Sequence, residues 1–141
     1  VIRLPQVHDT VKQGLVTYLI AVAREKGASA YVEPGRNRWA ATHVSDVARL
    51  YRLALERNES GAKYHAVAEE GVAMRDIAEA IGRALKVPVK SISPEEAKAH
   101  FGWLAMFAGH DLQASGALTQ KRMGWHPTGP GLIADLDHGS F

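Results

Sequence analysis

The sequence predicts an α/β fold, mostly helical with short strands, and three observations carry that prediction. Short apolar extended runs alternate with segments whose apolar residues recur at helical spacing. The joins between them carry cap and stop residues of the right chemistry, such as Ser93-Pro94-Glu95-Glu96 before a helix and Gly27 after one. No internal repeat, low-complexity tract or charge block interrupts the alternation.

Residues 1–7 read as a strand closed by Pro5, which has no N–H to give a ladder. His8-Asp9-Thr10 reads as a turn, with Asp9 or Thr10 as cap, and Leu15, Tyr18, Leu19 and Val22 then fall at helical spacing up to the stop at Gly27. Residues 28–32 are expected to be extended, and Pro34-Gly35-Arg36-Asn37 to be a loop.

The most informative stretch is residues 39–55, W-A-A-T-H-V-S-D-V-A-R-L-Y-R-L-A-L. It reads as a strand running straight into a helix. Ser45 is expected at the N-cap, where a hydroxyl accepts from an orphan amide, and Asp46 in the first turn, where the helix dipole favours a carboxylate. Val47, Leu50, Tyr51, Ala54 and Leu55 form one apolar stripe, so this helix is expected in the core.

Residues 63–68, K-Y-H-A-V-A, read as a buried strand, and Glu69-Glu70-Gly71 as a turn. Met74, Ile77, Ala78, Ile81 and Leu85 give the next helical face, and residues 87–92 the next extended run. After the capping box at Ser93 a helix or helix pair runs towards Gly109. A short helix is expected at 117–123, stopped by Gly124, and one or two helical turns within 128–137.

Composition bounds the function. The 141 residues make one ordinary domain or a piece of a larger protein, and 46% apolar with 23% charged residues is a globular balance. The net charge of +2 is dispersed and no basic-aromatic patch is present, so no nucleic-acid partner is expected. With no cysteine there is no disulfide framework or thiolate metal site, which fits a cytoplasmic location. No run approaches the ~20 apolar residues of a membrane-spanning helix. The chain lacks an initiator Met and opens inside an apolar run, Val1-Ile2-Arg3-Leu4-Pro5, so it is expected to be the C-terminal portion of a longer protein.

Candidate chemistry is sparse. Gly129-Pro130-Gly131-Leu132-Ile133-Ala134 matches G-x-G-x-x-A, but it follows no strand and carries a proline in the turn, so it reads as a loop entering the last helix. The seven histidines include no H-x-x-x-H or H-E-x-x-H pair, so no metal is expected. His43, Ser45 and Asp46 are too close in sequence to converge as a triad. Trp39, after a loop carrying Arg36 and Arg38, is a candidate pocket wall, with core burial as the plainer reading.

Taken in order, R-L-P-Q-V-H-D, H-V-S-D-V-A, K-Y-H-A-V-A and M-G-W-H-P resemble the C-terminal half of an extended short-chain dehydrogenase/reductase, the NAD-dependent epimerase/dehydratase family. That resemblance implies the C-terminal portion of a Rossmann-like fold: residues 1–141 as a substrate-binding region, whose strands near 1–7 and 63–68 complete an absent N-terminal dinucleotide-binding half. It implies NAD or NADP as the parent's cofactor, with the backbone at Pro5 and Val7 near the nicotinamide. Gln6 stands where the family has Asn facing substrate, His8 where it has Tyr, and Asp9 where it has Gly; Trp39 stands where sugar-nucleotide epimerases carry a diphosphate-gripping Arg. Gln6, His8, Trp39 and His43 are therefore the expected substrate contacts, and a small carbonyl or sugar-like molecule the expected substrate.

The glycine loop and the Tyr-x-x-x-Lys acid/base pair of that family are absent from these residues, so the chain alone is expected to be inactive. A non-catalytic dinucleotide-sensing or scaffold relative and an unrelated small α/β binding module are the other readings. Open strand edges predict self-association of the chain by itself.

Overall fold

The computed structural model describes residues 1–139 and 141, and the alternation of strands and helices holds along them. The first predicted strand is split in two. Pro5 breaks the ladder, leaving β1 (Ile2–Arg3) and β2 (Gln6–His8) to pair in different sheets. His8 thus belongs to a strand rather than to the expected turn. That turn follows it, with Asp9 Oδ1 accepting from the amides of Val11 and Lys12 at 2.7 and 2.8 Å.

Helix α1 (Leu15–Lys26) ends at Gly27, whose φ of 69° is the left-handed conformation a helix stop needs. Beyond it come β3 (Ser29–Val32), β4 (Arg38–His43), α2 (Val44–Arg57), β5 (Tyr64–His65), β6 (Glu69–Ala73), α3 (Met74–Leu85) and β7 (Val89–Ile92). Then α4 (Pro94–Phe101), a 3-10 turn, α5 (Ala105–Ala108), α6 (Ala117–Met123) and α7 (Leu132–His138) complete the chain.

β1 pairs parallel to β5, with Ile2 opposite Tyr64 and Arg3 opposite His65. β4 is the middle of a three-stranded sheet, parallel to β2 and antiparallel to β6. β3 pairs parallel to β7. Parallel neighbours need long crossovers, and the helices supply them.

Two cores result. The larger packs α1, α3, α4 and α7 around Trp39, Ile77, Leu104 and Leu132. The smaller closes α2 onto β5 through Val47, Leu50, Tyr64, Met123 and Trp125.

The structure corrects three further expectations. Residues 69–71 lie in β6 rather than a turn, since Ala41 stands opposite Glu69 and the Ala68 amide donates to Ala41 O. The cap of α2 is His43, whose Nδ1 accepts from the Ser45 amide at 3.1 Å, while Ser45 is already helical. The stripe on α2 divides: Val47 and Leu50 are buried, but Tyr51 and Leu55 are 44% and 78% exposed, on the same outer line as Val44.

The capping box on α4 forms as predicted, with Glu96 N–H donating to Ser93 Oγ and Ser93 N–H to Glu96 Oε1, each at 3.2 Å. The bond from the Ser93 amide holds the Glu96 carboxyl below its ordinary range. Ser93→Ala is expected to cost about 1 kcal/mol, read as a lower denaturant midpoint with an unchanged slope.

Candidate functional site

A cavity of about 340 Å³ opens where β1 and β5 end. Leu4, Pro5 and Gln6 line one side, His65 and Val67 another, and Leu112 faces them. Nothing in the local sequence marks Leu112 as part of such a wall. It joins the wall because Ala40 N–H donates to Leu112 O at 2.8 Å and Leu112 N–H to Arg38 O at 2.7 Å, extending the line of β2 along β4. A second, more polar groove of about 430 Å³ lies beyond His65, Gln113 and Ala114, which line both spaces.

Of the six residues singled out from sequence, Pro5 and Gln6 line the cavity. Gln6 also does structural work. Its Oε1 accepts from Leu15 N–H at 2.7 Å, serving as the cap that α1 lacks in its own sequence, since residue 14 is glycine. A Cβ at Gly14 would sit 2.6 Å from that same oxygen, so the close approach requires glycine. The amide donor at Leu15 assigns the side-chain oxygen, and with it the nitrogen as the other terminal atom. Val7 is half-buried and packs towards the smaller core.

Trp39 is placed differently from the expected pocket wall. Its indole is fully buried in the larger core and its Nε1 donates to His110 O at 3.1 Å, while the neighbouring Ala40 lines the cavity. His8 is also internal. It is 1% exposed, and its Nδ1 lies 2.5 Å from Asp135 Oδ2. His43 is half-buried, with Nε2 3.6 Å from the same oxygen. These two histidines converge on a carboxylate that no sequence pattern indicated, rather than on the cavity.

Asp46 ties the H-V-S-D and G-W-H-P motifs together. Its carboxylate accepts from Thr128 N–H at 3.0 Å and Gly129 N–H at 2.9 Å and pairs with Arg49, while its carbonyl accepts from Trp125 Nε1 at 2.9 Å. Burial would raise the Asp46 carboxyl, but the Thr128 and Gly129 amides and Arg49 outweigh it and hold the group below its ordinary value. The glycine-containing run at 129–134 is the loop entering α7, as expected: a Cβ at Gly129 would lie 2.8 Å from that of His43. Among the described residues, no group of three or more His, Asp or Glu is placed to hold a metal ion. No helix among them is long and apolar enough to cross a membrane.

The fold is that of part of a Rossmann-like epimerase/dehydratase. Solved structures that share it include the dTDP-glucose 4,6-dehydratase DesIV from Streptomyces venezuelae with NAD and TYD bound, at a TM-score of 0.66 and 15% identity over 96% of this chain and 40% of that one. Another is the Thermus thermophilus UDP-glucose 4-epimerase in complex with NAD, at a TM-score of 0.63 and 18% identity over 96% of this chain and 43% of that one. In sequence, the chain is 48% identical to an uncharacterized protein of Schizosaccharomyces pombe, C2A9.02, over 96% of its own residues and 46% of that protein. The chain spans about half the length of the curated relatives it matches. No family model matches it.

Proposed function

We propose that this chain is the C-terminal, substrate-side portion of an NAD(P)-dependent oxidoreductase or epimerase acting on a small carbonyl or sugar-like molecule. The observation that carries the reading is the cavity at the carboxyl ends of the parallel pair β1 and β5, because ligands of open α/β sheets bind outside the carboxyl ends of their strands. In this reading β1 and β5 belong to the sheet of a dinucleotide-binding half, and the nicotinamide end of the cofactor lies by the backbone of Pro5 and Val7. The cofactor supplies the hydride chemistry when bound.

This chain's own part is to bind, orient and exclude water. The Gln6 amide, with its oxygen pinned by Leu15 N–H, offers a fixed N–H donor to an oxygen of the ligand. Leu4, Pro5, Val67 and Leu112 give the apolar walls against which the rest of the ligand packs. His8 and Trp39 act from beneath as core. The exposed line Val44, Tyr51 and Leu55 on α2 and the open edge of β1 are surfaces for the other half to cover; alone, this chain would associate with itself, as light scattering would record.

The test uses the full-length protein. Its sequence ahead of Val1 is expected to carry a G-x-x-G-x-x-G loop and a Tyr-x-x-x-Lys pair, and absence of both overturns the proposal. Gln6→Glu keeps an oxygen for the Leu15 amide but turns the cavity donor into an acceptor. It is expected to lower kcat/KM by about tenfold or more, since an unpaired polar group costs roughly 1–3 kcal/mol, and to lower the melting temperature as well, because Gln6 is buried and a carboxylate there is desolvated. Unchanged kinetics would remove Gln6 from the site.

A further inference from the structure

Away from the cavity, His8, His43 and Asp135 form a largely buried polar trio. The parallel register of β2 and β4 sets His8 opposite His43, and the rings meet edge to face with centroids 5.6 Å apart. Helix α7 brings Asp135, 3% exposed, against both. Its Oδ2 lies 2.5 Å from His8 Nδ1 and 3.6 Å from His43 Nε2.

The surrounding partners leave one tautomer for each ring. Ser45 N–H donates to His43 Nδ1, so that nitrogen is bare and the proton sits on Nε2, the atom facing Asp135. In His8 the nitrogen against the carboxylate is Nδ1, so the proton is there. His8 Nε2 is buried with no partner. A proton on that nitrogen would be a buried donor with no acceptor, so the tautomer that places it on Nδ1 is the one the surroundings fit. The other acid beside His8, Asp9, is occupied by the amides of Val11 and Lys12.

We propose that Asp135 is a positioning residue that holds His8 in its Nδ1-protonated tautomer by a direct hydrogen bond and faces the Nε2 proton of His43 at 3.6 Å, the Ser45 amide having set that ring in the opposite tautomer. It thereby pins β2, which carries Gln6 and Val7, from 127 positions further along the chain. Helix α7 is then a working part of the cavity's frame although it lines none of it. This inference stands whatever ligand the cavity takes.

Long-range proton–nitrogen NMR of the imidazoles in the full-length protein tests it, with His8→Gln and His43→Gln used for assignment. The expected spectrum shows His8 protonated at Nδ1 and His43 at Nε2, with a far-downfield Nδ1 proton on His8. In Asp135→Asn that proton is expected to move upfield, and amide exchange at Val7 and His8 to quicken by about tenfold, while α3 amides keep their protection and His43 keeps the tautomer set by the Ser45 amide. Both rings in the same tautomer, or His8 protonated at Nε2, would overturn the proposal. So would an Asp135→Asn protein in which the His8 Nδ1 proton shift and the exchange at Val7 and His8 are both unchanged. If that variant does not fold, the wild-type tautomers decide alone.

Discussion

Replacing Trp39 by alanine is expected to destabilise the fold by about 3–5 kcal/mol, the range for emptying a fully buried aromatic site. The indole is 0% exposed at the centre of the larger core, and its Nε1 bond to His110 O ties β4 to the segment that supplies the cavity wall at Leu112. Against a typical total of 5–15 kcal/mol, such a loss is a large share of stability. Trp39→Phe separates the two contributions. It keeps most of the apolar contact and abandons the bond, so its loss in urea unfolding should be well under that of alanine. A Trp39→Ala protein with wild-type stability but weakened ligand binding would return this residue to the pocket.

Asp46→Ala should cost about 2–4 kcal/mol, because it leaves the Thr128 and Gly129 amides without their acceptor at a part-buried junction. The sign of its pH dependence follows from the direction of the shift. The folded-state carboxyl sits below its ordinary value, so its ionised form is the one that favours folding. That contribution is present in full above the ordinary carboxylate range near ~4, and is lost as pH falls from there through the lowered folded value. Wild-type stability should therefore drop more steeply than that of Asp46→Ala across this acid window, and the two curves should draw together at its lower end. Parallel curves from neutral pH to the acid limit would mean that the carboxylate does not couple to folding.

What the sequence showed and what it hid divide along local and distant interactions. The capping box at Ser93, the stop at Gly27 and the helix at Ala117–Met123 were legible because a few adjacent residues decide them. β6 was not. Glu69-Glu70-Gly71 has turn composition, and only its pairing with β4 makes it extended. Trp39 was ambiguous for a related reason: residues 39–42 of β4 are all buried, so both faces of the strand are covered and no alternation separates core from pocket. Gln6 stands out only through the family resemblance, and its bond to the Leu15 amide has no sequence signature, since nothing in a sequence says that one residue caps a helix nine positions away. Asp135 carried no signal because its partners lie at the opposite end of the chain.

The two-residue gap at Leu4–Pro5 has a mechanical consequence. On one side of it stand Arg3 and His65, rooted in the β1–β5 pair; on the other stand Gln6 and Ala40, rooted in the three-stranded sheet. The recess between them is therefore walled by two strand systems, clamped together behind it by Thr42, whose Oγ1 donates to Ala66 O and accepts from the Ala68 amide. A molecule seated there would touch both.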